Sequence, residues 1–180
     1  PGSHERVGSA GTKANLMDTP DISGQENHGA VATTLVIILD HIEDPHNYGA
    51  IIRSADAFGA DLVVVPERRA APQTDVVARA SAGALAWVPT ATVTNLARVV
   101  EKLKKAGFWV WAADMDGTPL PQADLKGRVA LVLGSEGSGV SRLVRDLCDG
   151  AVSVPMTGHV DSFNVSVAAA ICMYEVRRRG

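Results

Sequence analysis

The sequence predicts an α/β fold in which a mostly parallel sheet carries helices on both faces. From Thr34 onward, short β-branched runs alternate with helix-length segments, the pattern of parallel strands joined by crossover helices. The first run is apolar throughout between Thr34 and Asp40, as strands covered on both faces are. Polar, turn-forming clusters then follow several strands, and ligands of such sheets sit beyond the C-terminal strand ends.

Thr34 to Asp40 is a buried strand, and Tyr48 to Phe58 has helical spacing ending at Gly59. Asp61 to Val65 is the next strand, Asp75 to Ala82 a short helix and Ala86 to Val88 a brief strand. Asn95 to Ala106 is an amphipathic helix closed by Gly107, followed by a strand over Phe108 to Ala113. Val129 to Leu133 is a strand, Ser141 to Cys148 a helix, Ala151 to Val154 a strand and Asn164 to Arg178 the last helix. Residues 1–30 are polar, rich in Gly, Ser, Asn and Asp, and without periodicity, and read as a flexible N-terminal arm or linker. Gly2-Ser3-His4 resembles an expression-tag scar, so this arm is expected to be partly tag-derived.

With 180 residues, 46% of them apolar and 21% charged, the chain reads as one soluble globular domain. It has no run long enough to span a membrane and no secretory h-region, so a cytoplasmic setting is expected. Cys148 and Cys172 lack a Cys-x-x-Cys spacing and read as buried free thiols. A net charge of −3 offers no global field for nucleic acid. The basic clusters Arg68-Arg69, Lys102/Lys104/Lys105 and Arg177-Arg178-Arg179 read singly as solvated faces. An RNA-binding reading must therefore rest on specific residues.

Three clusters carry the chemistry. In the first, Asp44-Pro-His-Asn47-Tyr-Gly-Ala-Ile-Ile-Arg53, Asn47 is placed to cap the following helix. Arg53 reads either as a surface cation paired with Asp56 or Asp40, or as a planar fork for phosphate or carboxylate. The second, Leu133-Gly-Ser-Glu136-Gly-Ser-Gly139, lacks the Gly-Lys-Ser/Thr ending of a P-loop, and Glu136 would repel a pyrophosphate. A carboxylate there suits a cationic or hydroxyl-bearing ligand; the structural alternative is a tight solvated turn. In the third, a Pro155-Met156-Thr157-Gly158 turn leads to Asp161-Ser162-Phe163-Asn164, which opens the last helix. That helix N-terminus offers unpaired N–H donors, although Ser162 and Asn164 each also fit a simple cap. His41, His46 and His159 match no zinc spacing and no elbow serine accompanies them, so no metal is expected.

Together these clusters resemble the three motifs of the SPOUT-class RNA ribose 2′-O-methyltransferases, the SpoU/TrmH family. Asn47-x-Gly-Ala-Ile-Ile-Arg53 resembles the first motif, Leu133-Gly-Ser-Glu136-Gly-x-Gly139 the second, and Val154-Pro-Met with Ser162-Phe-Asn164-Val-Ser-Val-Ala the third. The resemblance covers residues 35–178. Arg68-Arg-Ala-Ala-Pro, Ala80-Ser-Ala-Gly-Ala, Val93-Thr-Asn-Leu-Ala and Gly107-Phe-Trp-Val are similar to the branch that methylates a guanosine of 23S rRNA. That branch usually carries an N-terminal ribosomal-protein-like substrate domain. The resemblance implies that residues 31–180 are the SPOUT methyltransferase catalytic domain alone.

It further implies a C-terminal deep trefoil knot, a homodimer with sites built from both chains, and S-adenosyl-L-methionine as cofactor. Carried over, Gly134, Val154 and Phe163 line the cofactor site, with Leu133, Pro155 and Met156 beside it. Family members more often have Leu or Ile where this chain has Phe163. Arg53 is implied to position the substrate phosphate and stabilise charge on the attacking ribose oxygen, since an arginine stays protonated. Asn47, Glu136, Ser162 and Asn164 are implied to orient the ribose and hold the surrounding loops. The expected substrate is splayed rRNA, whose guanine edge a duplex would hide. Two alternatives stay open: a tRNA 2′-O-methyltransferase of the same family, and a nucleotide-binding module without methyl transfer.

Overall fold

Two hydrophobic cores flank one sheet, and the first strand feeds both. The computed structural model describes residues 33–68 and 75–180; the expected arm, its tag-like segment and Arg69 lie outside the described residues. In strand β1 (Thr34–Asp40), Leu35, Ile37 and Leu39 face one core while Val36 and Ile38 face the other. This alternation is why the run is apolar without a break. Strand β5 (Arg128–Gly134) does the same, with Val129, Leu131 and Leu133 on the first side and Ala130 and Val132 on the second.

The remaining elements are α1 (Pro45–Ala57), β2 (Leu62–Pro66), α2 (Asp75–Ala80), β3 (Thr90–Val93), α3 (Leu96–Lys105), β4 (Trp109–Pro119), α4 (Arg142–Leu147), β6 (Gly150–Ser153) and α5 (Val165–Arg179). The strand order is β3-β2-β1-β5-β4-β6, and every strand pairing is parallel. Residues of α1, α2 and α5 pack in the first core, and residues of α3 and α4 in the second. The expected parallel sheet with helices on both faces is therefore present.

One element differs from expectation. Ala86–Val88 is not a strand: Ala84–Ala86 forms a 3-10 turn, and the edge strand lies at Thr90–Val93. Ala82 (φ 50°) and Gly83 (φ 84°) take left-handed conformations that divert the chain. Pro89, which has no N–H to donate, stands before the strand and lends only its carbonyl, to Val63.

Strand β4 also runs past Ala113. Val152 of β6 pairs with both Ala113 and Thr118 across a register shift. Gly117 allows this close approach, because a Cβ there would lie 2.6 Å from backbone atoms of Ala151 and Val152.

Four residues of the basic clusters are internal ties, while Arg68, Lys102 and Lys105 are exposed, as expected of solvated faces. Arg177 donates to the Phe58 carbonyl at 2.7 Å and also to the carbonyls of Gly59 and Thr33. Lys104 meets the Leu147 carbonyl at 2.8 Å and Asp149 at 2.9 Å. Arg178 and Arg179 both grip the buried carboxylate of Glu175, at 2.7 and 2.6 Å. Of the two free thiols, Cys172 is buried and Cys148 only half-buried. No helix among the described residues is long and apolar enough to cross a membrane.

Arg178, aided by Arg179 and opposed by burial, holds the Glu175 carboxyl down at about 2. A depressed folded-state value stabilises the fold above the ordinary carboxylate range, and that contribution is lost as pH falls through about 4.5 toward 2. Urea midpoints measured from pH 6 to pH 2 should fall more steeply for the wild type than for Glu175→Gln. Parallel curves would refute the assignment.

Candidate active site

The site is assembled where β1 and β5 end side by side, with Asp40 in register with Gly134. The Asp40 carboxylate is buried, accepts from the Ser141 N–H at 2.7 Å and lies 2.8 Å from His41 Nδ1. It thereby ties the loop after β1 to the start of α4. Asp44 then caps α1 by accepting the Asn47 N–H at 2.9 Å, with Pro45 opening the helix. The expectation that Asn47 is the cap is therefore corrected. With its N–H taken by Asp44, Asn47 lies inside the first turn and its amide group reaches outward.

The loop after β5 brings the partner. A Cβ on Gly134 would lie 1.9 Å from the carbonyl carbon of Gly139, so only glycine lets the loop close on itself. Gly137 (φ 87°) and Gly139 (φ 65°) make the turn, which the Gly139 N–H closes onto the Ser135 carbonyl at 2.9 Å. Glu136 projects from this turn. Its Oε1 accepts from Asn47 Nδ2 at 3.2 Å, Asn164 Nδ2 at 2.5 Å and the Val165 N–H at 3.3 Å. Asn164 Nδ2 also donates to Asn47 Oδ1 at 2.9 Å. Asn164 caps α5 as well, accepting from the Ser166 N–H at 3.0 Å.

Beside this cluster lies a cleft of about 510 Å³. Leu133, Gly134, Val154, Met156 and Phe163 line it, together with Glu136, Ser162 and Asn164. Pro155, expected next to the cofactor, is not among the lining residues. Residues that sequence reasoning missed also line it: Asp114, at the point where β4 was expected to have ended, and Cys172 on α5. Among the described residues, the only charged ones lining it are Asp114 and Glu136, both acidic. Burial pushes the Cys172 thiol up to about 12, so it stays protonated and inert. A neighbouring pocket of about 360 Å³ shares Ser135, Glu136, Ser138 and Val165 with the cleft, and His41 and Asn47 line its far side.

Arg53 stands apart. It is exposed on α1, six residues beyond Asn47 and hence about 9 Å along the axis. It lines neither pocket and, among the described residues, makes no ion pair with Asp56 or Asp40.

These features define an α/β protein with a small-ligand cleft at the C-terminal edge of its parallel sheet. The chain belongs to the SpoU rRNA Methylase family, whose model matches residues 34–174. A provisionally named TrmH family tRNA/rRNA methyltransferase of Staphylococcus haemolyticus is 48% identical over 159 residues, covering 88% of this chain and 63% of that protein. Its Staphylococcus aureus (strain COL) counterpart is 50% identical over 145 residues, covering 80% of this chain. The chain thus spans 63% and 58% of the length of these two relatives. Among solved structures, it is similar to the SpoU methyltransferase AviRb of Streptomyces viridochromogenes in complex with AdoMet. The identity is 35% and the TM-score 0.73, over 81% of this chain and 57% of that one. The A. aeolicus TrmH/SpoU tRNA modifying enzyme is 29% identical with a TM-score of 0.73, over 81% of this chain and 74% of that one.

Because one oxygen of Glu136 serves three donors, its removal should act beyond a single contact. Glu136→Ala and Asn164→Ala should each cost about 1–2 kcal/mol in urea unfolding, and the double variant less than the sum by about 0.5 kcal/mol or more. Simple additivity would show that the two side chains act independently.

Proposed function

We propose that this chain is the catalytic part of an S-adenosylmethionine-dependent RNA methyltransferase acting on the ribose 2′-hydroxyl of a guanosine in large-subunit rRNA. One observation carries the cofactor reading: among the described residues the cleft is lined by two carboxylates, of which Glu136 has no ion pair, and by no basic side chain, on glycine-rich backbone. That lining suits a cationic, hydroxyl-bearing ligand and opposes phosphate-bearing nucleotides such as NADH or ATP. Leu133, Val154, Met156 and Phe163 supply apolar walls for an adenine, while Gly134 leaves room for close backbone approach. Pro155 would act by shaping the turn.

When bound, the cofactor supplies an electrophilic methyl group. A ribose hydroxyl must lose its proton as it attacks such a centre. Arg53 holds the substrate phosphate and stabilises the negative charge growing on the oxygen, and the phosphate or solvent takes the proton. Asn47, Glu136, Ser162 and Asn164 orient the ribose, the first, second and fourth through their shared hydrogen bonds. Arg53 is remote from that trio in one chain, which supports a homodimer in which a second copy supplies it. The exposed apolar residues Val160, Phe163, Val167 and Tyr174, along the entry to α5 and its outer face, offer the surface for such pairing. On the same reading the C-terminal tail is knotted. On this reading the protein is cytoplasmic. A tRNA substrate is the second reading, because the curated relatives are named for both RNAs.

Calorimetry should show S-adenosylhomocysteine binding in the micromolar range, with no heat from NADH or ATP; the reverse preference would sink the cofactor reading. Arg53→Ala should keep that affinity yet lose at least about 100-fold in methyl transfer to rRNA fragments. An Arg53→Ala chain that methylates normally would end the assigned role, and transfer to tRNA alone would move the substrate.

A further inference from the structure

Asp114 is the carboxylate of the cleft whose charge is already balanced. Its Oδ2 lies 2.8 Å from Arg145 Nη1 of α4, and its Oδ1 accepts the Asp116 N–H at 3.0 Å. Glu136, by contrast, is held by amide donors and makes no ion pair among the described residues. The two carboxylates therefore suit different parts of a ligand. An unbalanced charge favours a cation, whereas a neutralised carboxylate has little to gain from one.

What Asp114 retains is acceptor capacity. An ionised carboxylate offers about four lone-pair sites. One on each oxygen is taken, which leaves one on each. The plane is fixed from two sides: by Arg145, and by the turn that β4 makes between Ala113 and Thr118. The side chain is only 16% exposed, so these acceptors meet little competing water. Two adjacent, pre-oriented acceptors match two adjacent hydroxyl donors. The same chemistry lets an acidic residue hold the ribose hydroxyl in dinucleotide-binding folds.

The geometry points to Asp114 as the residue that binds the vicinal ribose hydroxyls of the cofactor, with Arg145 as its positioning residue. This rests on the cofactor reading above.

The test is calorimetry on the full chain with S-adenosylhomocysteine and its 2′,3′-dideoxyribose analogue. The wild type should bind the analogue about tenfold or more weakly than the parent, the loss expected for hydrogen bonds to a charged group. In Asp114→Asn the parent should weaken, and the difference between the two ligands should shrink to a few-fold. Arg145→Gln should shrink the same difference, which a merely structural role would leave intact. A wild type that binds both ligands equally, or variants that keep the full difference, would overturn the assignment. A wild type that binds neither ligand would instead overturn the cofactor reading from which it starts.

Discussion

A single carboxylate oxygen, Oε1 of Glu136, holds the functional edge of this protein together. It accepts from Asn47 on α1, Asn164 before α5 and the first N–H of α5 itself. Asn47 and Asn164 are 117 residues apart in the chain and become neighbours only around that atom. Placing a negative charge at the N-terminus of a fifteen-residue helix is favourable in its own right. The rest of the edge answers to this constraint. Gly134 must lack a side chain so that the loop can project Glu136, and Asp44 must take over the capping of α1 so that Asn47 is free to reach it.

Beneath this polar junction the two central strands act as a common foundation. The parallel pairing of β1 and β5 runs along their full length and ends with Asp40 against Gly134. Asp40 then reaches forward to the backbone of Ser141. Loop positions on two strands are thus set by one ladder and one buried carboxylate. Pre-organisation of this kind is what a site needs if binding is not to be spent on ordering loops.

The sheet, the order of its helices and the three polar clusters were legible in the sequence, because burial on both faces leaves unbroken apolar runs at β1 and β5. Asn164 was legible as a cap, and it is one. What stayed hidden depends on distant pairings. Asp44 and Asn47 compete for the N-cap position of α1, and local preference alone does not decide between two good capping residues. The extension of β4 past Ala113 is created by β6, so Asp114 could not be placed in the cleft from its neighbours in the chain. Arg177, Arg178 and Arg179 read as a solvated basic tail, yet their partners are backbone carbonyls and a carboxylate that only the packed helix supplies.

The strand order has a consequence for how the chain comes into being. Synthesis proceeds from the N-terminus, and β1, β2 and β3 can pair as they emerge. The place beside β1 that β5 will fill must wait until β4 has been made, for β5 inserts between the two. The cleft waits longer still, since its walls include Val152, Phe163 and Cys172. A nascent polypeptide halted before α5 would therefore carry most of the core, lacking Ala169, Cys172, Met173 and Val176, and a cleft missing the wall that α5 supplies. The cleft is thus completed only once α5 has been made and packs against α1.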